Sequence, residues 1–337
     1  MRSIKVSIDG GGLCLSEEDQ FGNYTFSKNL INALSIFDKK NHYFLYTFCE
    51  KEKDLKLGKN IAFKKLYPRL FWSKIRVSIE ECFKKKDFYL GLNQSIPMMT
   101  FSKVISFSHG LSFRFYQGFY RNFDKLNDQL ESLVKDSDKI VVSSVRVKRE
   151  MIELYPKIKE RIHVIPFGIP FDMPITSARR KREKYFLYVA MDHPIKNVDF
   201  IIEAFNKIRK TRKYKDYRLY LIGYKGEVND PKIKTVPHVT RTELRKLYQR
   251  ATALLTASHY ESFNFPVLEA LSQGTQAIGL REAIIPELRP FTRLADDMEE
   301  FVELMKKAAS RPFKIKREIA EVFSWKKYVK ELLKLYN

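Results

Sequence analysis

Apolar and polar residues alternate from Ser3 to Asp9 (SIKVSID), the period-two pattern of a strand, and Gly10, Gly11 and Gly12 follow it. After a polar loop, Phe21 to Leu34 (FGNYTFSKNLINAL) sets Leu30, Ile31 and Leu34 on one helical face. The theme recurs. Short apolar runs at 42–48 (HYFLYTF), 103–108 (KVISFS), 139–144 (KIVVSS) and 161–166 (RIHVIP) read as strands, with helical stretches such as Phe123 to Val134 between them. Pro166 to Lys184 breaks the pattern with three prolines and a basic cluster, and reads as a linker plus a solvated helix or loop. Then alternation restarts. Strands are predicted at 185–191, 217–223, 253–257 and 276–279, and helices at 200–208, 243–250 and 266–273. Strands alternating with helices imply parallel sheets covered on both faces. The expected fold class is therefore α/β, with two doubly wound, Rossmann-like domains, 1–172 and 173–323, facing across a cleft. In such sheets ligands bind at the carboxyl ends of the strands.

Composition narrows the classes without changing this picture. The chain has 337 residues, 44% hydrophobic and 30% charged, which suits two globular domains and excludes a disordered or fibrous chain. Its longest unbroken apolar run, Tyr185 to Met191, is far short of the ~20 residues that span a bilayer. The formal charge of +22 favours anionic partners, or else reflects lysine-rich solvated helices. No nucleic-acid-binding motif accompanies it, so no nucleic acid is expected. Cys14, Cys49 and Cys82 are odd in number and widely spaced, which argues for a reducing compartment and against a disulfide or zinc framework. With no apolar leader after Met1, a cytoplasmic location is expected.

The richest segment chemically is Ser258 to Gly274 (SHYESFNFPVLEALSQG). Pro266 suits the first turn of a helix, which would leave Glu261 in the loop before it and Glu269 inside it. A helix start offers free N–H groups and a positive dipole end to a diphosphate. At ~1.5 Å per residue the two carboxylates stand about 12 Å apart or less, a span that fits a nucleotide sugar. Each carboxylate accepts hydrogen bonds from paired hydroxyls. Gly10 to Gly12 form neither a dinucleotide fingerprint nor a phosphate loop. His193 and His259 lack metal-ligand spacing, and Asp296-Asp297 reads as a helix cap, so no metal is expected. Phe63 to Lys86 interleaves eight Lys or Arg with Leu70, Phe71 and Trp72. It reads either as a face for an anionic membrane with an exposed Trp, or as a helix packed on the first domain.

The 258–274 segment resembles the Glu–seven residues–Glu signature of retaining glycosyltransferase family 4, of GT-B fold. It matches at Ser258, Glu261, Phe263, Pro266, Leu268, Glu269 and Ala270, and departs at Ser262 and Asn264, where the family prefers glycine. Further similarities lie at 21–34, at Phe107 to Leu111 (Gly110 replacing Asp), at Ile165 to Ile169, at Pro286-Glu287 and at Phe323-Ser324-Trp325. The family's Arg and Lys on the donor diphosphate fall here at Met191 and Lys196, so one cation is missing.

The resemblance implies a metal-independent hexosyltransferase without cofactor. It would move a hexose with retention from a nucleotide sugar to a glycan or lipid-linked acceptor in polysaccharide or glycolipid synthesis, peripherally at the inner membrane face. It implies that Glu261, His109 and Lys196 act in catalysis. Gly22, Lys196, Phe263, Asn264, Phe265 and Glu269 would bind the donor. The first domain would take the acceptor and receive the returning helix 324–337; the second would take the donor. A second reading, motivated by Met191, Ser262 and Asn264, is a catalytically weak or silent scaffold that binds nucleotide, glycan or a protein.

Overall fold

Strand β1 (Lys5–Asp9) is buried at every residue after Lys5, because parallel neighbours and helices cover both its faces. The computed structural model describes residues 3–16, 22–52, 55–94, 96–176, 181–310 and 318–337. The chain divides into two units, Met1–Gly168 with Phe323–Asn337, and Ile169–Val322. The division falls after Gly168 rather than at 172, so Asp172 lies in the second unit.

The first unit contains β1, β2 (His42–Thr47), β3 (Ile61–Lys65), β4 (Phe88–Gly91), β5 (Lys103–Ser108), β6 (Lys139–Val142) and β7 (Ile162–Val164). Its helices are α1 (Gly22–Phe37), α2 (Val77–Phe83), α3 (Ser112–Phe115), α4 (Phe123–Asp136) and α5 (Val145–Leu154). The strands form one parallel sheet in the order β3-β2-β1-β4-β5-β6-β7. Phe26, Leu30, Ile31 and Leu34 of α1 are fully buried. Each such side chain contributes about 1.5–3 kcal/mol.

The second unit contains β8 (Tyr185–Val189), β9 (Arg218–Ile222), β10 (Ile233–Val236), β11 (Ala253–Thr256), β12 (Ala277–Leu280) and β13 (Arg293–Ala295). Its helices are α6 (Val198–Arg209), α7 (Arg241–Arg250), α8 (Phe265–Ser272), α9 (Met298–Ser310) and α10 (Ile319–Val322). The sheet is again parallel, in the order β10-β9-β8-β11-β12-β13. The last helix, α11 (Trp325–Lys334), belongs to the first unit, where Gly168 admits Trp325: a Cβ there would stand 2.5 Å from Trp325 Cδ1.

Both sheets reverse their strand order beside their first strand, between β1 and β4 and between β8 and β11. At such a switch point two neighbouring strands send their following loops in opposite directions and open a crevice at the carboxyl edge.

Two expectations need correction. Cys14 and Cys49 are joined as a disulfide, with Cα atoms 5.4 Å apart, and Cys82 is free. The pairing follows from the sheet. Asp9 is in register with Tyr46, so the loops leaving β1 and β2 run side by side although the cysteines are 35 residues apart in sequence. The cysteine argument for a reducing compartment therefore falls. Of the two readings of 63–86, the one that exposes Trp72 fails at that residue, since Trp72 is 6% exposed and packs in the core with Val77 and Tyr46. The basic end of the 166–184 segment, residues 181–184, is exposed, in keeping with a solvated segment. Arg182 donates to the carbonyls of Gln249 (2.9 Å) and Ala251 (3.2 Å), while 177–180 lie outside the described residues. Among the described residues no helix is long and apolar enough to cross a membrane.

Candidate active site

The switch point of the second sheet brings two of the expected residues together. After β8 the chain makes a short turn over Pro194–Lys196, capped by His193, whose Nδ1 accepts from the Ile195 N–H (3.2 Å). Asn197 then takes a left-handed conformation (φ 51°) and donates to the Ala257 carbonyl (3.2 Å) as α6 begins. The loop after β11 is tied to this turn by the His259 N–H, which donates to the Ile195 carbonyl (2.9 Å). Lys196 Nζ and Glu261 Oε1 consequently lie 2.8 Å apart, and Ser258 Oγ donates to the same oxygen (2.8 Å). Both side chains of the pair keep some solvent access, 18% and 13%. The phenol of Tyr188, beneath Lys196, is held protonated by burial and by the charge of Glu261.

Helix α8 starts as its sequence requires. Asn264 adopts φ 74°, a region glycine and asparagine tolerate best, and its Oδ1 accepts from the Val267 N–H (3.4 Å). Its Nδ2 donates to Thr256 Oγ1 (3.3 Å), so the side chain ties α8 to the end of β11. Asn264 thus holds a positive φ at the position where glycine is preferred, and caps α8 from there. Phe263 and Phe265 are buried and meet edge to face at 5.2 Å, so their side chains shape the loop from within.

Glu269 is 2% exposed and has acquired partners that sequence reasoning missed. Arg241, the first residue of α7, donates to its Oε1 (2.7 Å), and Tyr248 OH donates to its Oε2 (3.0 Å). Arg241 also forks onto Asp172 (2.7 and 3.0 Å). Burial opposes the Arg241 charge, but Glu269 and Asp172 more than offset it, and the net effect strengthens its hold on the proton. Burial, with the Glu269 charge, keeps Tyr248 a phenol. One signal for Arg241 was legible: Thr240 and Glu243 form a capping box, which fixes where α7 begins.

Met191 is 36% exposed at the position of the missing cation. Two candidates in the sequence to replace that cation, His193 and Arg281, are otherwise engaged. His193 caps the Lys196 turn, and Arg281 forks onto Asp296. Asp297 caps α9 through the Glu300 N–H (2.8 Å). Among the described residues no three His, Cys, Asp or Glu are grouped to hold a metal ion. Gly223 (φ 87°), after β9, also proves essential to the loop after β8, since a Cβ there would lie 2.1 Å from the Ala190 carbonyl oxygen.

The other expected residues belong to the first unit. Gly22 is the exposed first residue of α1, with 17–21 outside the described residues. His109 follows β5, its ring edge-on to Phe26 (5.0 Å), and its Nε2 donates to the Leu92 carbonyl (2.5 Å). Burial lowers its pKa to about 4, against the pull of that carbonyl, so the ring is neutral and Nδ1 carries the lone pair. Asp9, buried at the end of β1, is raised to about 6 by burial, partly offset by the Gly11 N–H.

Residues 183–310 match the family model described as glycosyl transferases group 1. Among relatives, a probable sucrose-phosphate synthase from Thermosipho melanesiensis is 29% identical over 55% of this chain and 49% of its own length. The MMP alpha-(1->4)-mannosyltransferase of Mycolicibacterium hassiacum is 25% identical over 53% and 48%. The chain therefore spans about half the length of these curated relatives. Solved structures align along the whole chain. Sucrose-phosphate synthase from Thermosynechococcus elongatus gives a TM-score of 0.72 at 13% identity, covering 99% of this chain and 98% of that one. HepE from Anabaena, in complex with UDP-glucose, gives 0.71 at 10% identity, covering 98% and 99%. The fold is GT-B. At these identities the structures establish the fold alone, and the matched family domain contains the Lys196–Glu261 pair, α8 and Arg241.

Proposed function

We propose that the chain is a retaining, metal-independent glycosyltransferase that draws a hexose from a nucleotide sugar and passes it to a glycan or lipid-linked acceptor in polysaccharide or glycolipid synthesis. The observation that carries this reading is the Lys196–Glu261 pair, beside the loop that leads into α8 within the group 1 family match. HepE, whose structure holds UDP-glucose, shares the fold and supports a nucleotide-sugar donor. In this reading Lys196 and the N–H groups opening α8 take the diphosphate, with the Phe263-Asn264-Phe265 backbone close to it. Glu261 orients the hexose. Glu269 orients the ribose. Arg241 and Tyr248 each use one side of the Glu269 carboxylate, whose two oxygens offer about four lone-pair sites in all, so acceptor capacity remains for two hydroxyls.

In this reading Gly22 and neutral His109 of the first unit keep the roles that the resemblance implies, His109 accepting a hydroxyl hydrogen bond at Nδ1. The acceptor oxygen attacks the anomeric carbon on the face the diphosphate leaves, and the departing phosphate oxygen takes the acceptor's proton. The charge that builds on the diphosphate is met by Lys196 and the helix start, so turnover withstands a chelator. The silent-scaffold reading is the weaker one, because Asn264 holds the conformation for which glycine is preferred.

The test is transfer and donor hydrolysis with a panel of nucleotide sugars, alongside Lys196→Ala and Glu261→Gln. Loss of one charge-assisted contact, about 1.5–3 kcal/mol, predicts a fall of roughly 10- to 100-fold in transfer. Unchanged donor binding and transfer in both variants would sink the assignment.

A further inference from the structure

The first unit carries a surface that none of this chemistry uses. From Trp72 to Phe83 a π-turn (Trp72–Arg76) runs into α2, and this helical segment has two apolar faces. The inner face buries Trp72 and Val77 in the core. On the outer face Phe71, Ile75, Ile79 and Phe83 recur every fourth residue and are 64%, 46%, 45% and 84% exposed. A second strip lies beside it. The Met98 N–H donates to the Lys74 carbonyl (3.1 Å) and the Met99 N–H to Ser78 Oγ (3.1 Å), which holds the segment before β5 against this helix. Met98, Met99 and Phe101 are 70%, 59% and 62% exposed. Scattered exposed apolar side chains need no explanation, but a concentration of this kind does.

Charge is sorted as sharply. Arg69, Lys74, Lys84, Lys85 and Lys103 are exposed around the patch. Residues 63–103 contain three carboxylates, and two of them face inward. Glu80 pairs with Lys64 and Arg76, and Glu81 takes hydrogen bonds from Tyr46 OH (3.0 Å) and Ser102 Oγ (2.7 Å). Asp87 alone of the three is exposed.

We infer that this face docks on an anionic lipid bilayer. Its apolar side chains stand out singly, as wedges that enter the headgroup–acyl boundary, and the lysine stems around them reach lipid phosphates. Charge complementarity decides the occupant. A second copy meeting the face in an isologous contact would set one basic rim against another. Trp72 is not the anchor; its neighbour Phe71 is, together with Phe83. The inference rests on the first unit alone and stands whether or not the donor assignment does.

The experiment is flotation of the full chain with phosphatidylcholine vesicles and with vesicles containing about 30% phosphatidylglycerol. The chain floats with the anionic vesicles and far less with the neutral ones. Ile79→Ser with Phe83→Ser replaces two exposed side chains, keeps the melting temperature, and lowers partitioning at least about 10-fold. Lys84→Glu with Lys85→Glu removes the preference for anionic vesicles, as about 0.5 M salt does for the unaltered chain. Failure of the unaltered chain to float with either vesicle, or flotation of the Ile79/Phe83 variant at the unaltered level, overturns the proposal. A dimer in solution that this variant dissolves, without vesicle binding by the unaltered chain, also overturns it and assigns the face to a second copy.

Discussion

Replacing Arg241 with Met tests whether Glu269 is held as a charged, aimed acceptor. The guanidinium joins Asp172, from the segment entering the second unit, to Glu269 on α8. With Arg241 removed, the Glu269 side chain, 3% exposed, is left with the Tyr248 hydroxyl as its remaining side-chain donor among these contacts. Breaking a buried ion pair costs about 3–5 kcal/mol. Because the Arg241 side chain is 40% exposed, solvent screening brings the figure to about 2–3 kcal/mol. In a domain of this size that is a loss of roughly 5–10 °C in melting temperature. Adding Glu269→Gln to Arg241→Met removes the stranded charge and recovers most of the loss, so the double variant melts between the single variant and the unaltered chain. Nucleotide binding by calorimetry falls about 10-fold in Arg241→Met, the equivalent of about 1.4 kcal/mol. The reasoning fails if Arg241→Met melts within about 1 °C of the unaltered chain, or if the double variant is no more stable than the single one.

Other outcomes follow from the same structure. Asn264→Ala, which loses the α8 cap and places a Cβ-bearing residue without a polar side chain at positive φ, destabilises by about 2–3 kcal/mol in urea unfolding, whereas Asn264→Gly costs under ~1 kcal/mol. Gly223→Ala, driven against the Ala190 carbonyl, costs more than about 3 kcal/mol or abolishes soluble expression. Two buried groups of the first unit oppose each other with pH. His109, depressed from 6.5 to about 4, contributes stability that is full above pH 6.5 and is lost as pH falls toward 4. Asp9, raised from 3.8 to about 6, contributes stability that is full below pH 3.8 and is lost as pH rises through 6. Each is worth about 3 kcal/mol at most, so the contributions of these two groups nearly cancel between pH 4 and 6. Denaturant melts then show Asp9→Asn gaining stability with rising pH, and His109→Gln losing it.

How far the sequence could be read depended on what kind of information each feature needed. Strands with long apolar runs, such as β2 and β8, were legible from the pattern. Strands β3, β4, β10 and β13 were not: β3 ends in two lysines, β4 follows a basic run, and Lys234 in β10 and Arg293 in β13 interrupt the apolar signal. Residue types at the α8 start were legible because Asn264 and Pro266 act locally, through dihedral preference and capping. Pair partners were not, because they depend on strand order. Lys196 and Glu261 are 65 residues apart and meet only because β8 lies next to β11. The same rule unites Cys14 and Cys49 through β1 and β2.

A subtler limit appears at Phe71 and Trp72. Both are large and apolar, and both sit in a basic segment. Hydrophobicity alone cannot say which one enters the core. The outcome is set by the left-handed turn at Phe71 (φ 49°) and the π-turn that follows it. That turn sends Trp72 inward against Phe48 at 5.3 Å and leaves Phe71 outside. The surface charge of the segment then follows from the same rotation, since the face that carries Trp72 and Val77 inward carries Glu80 and Glu81 with it and leaves Lys74, Lys84 and Lys85 in solvent.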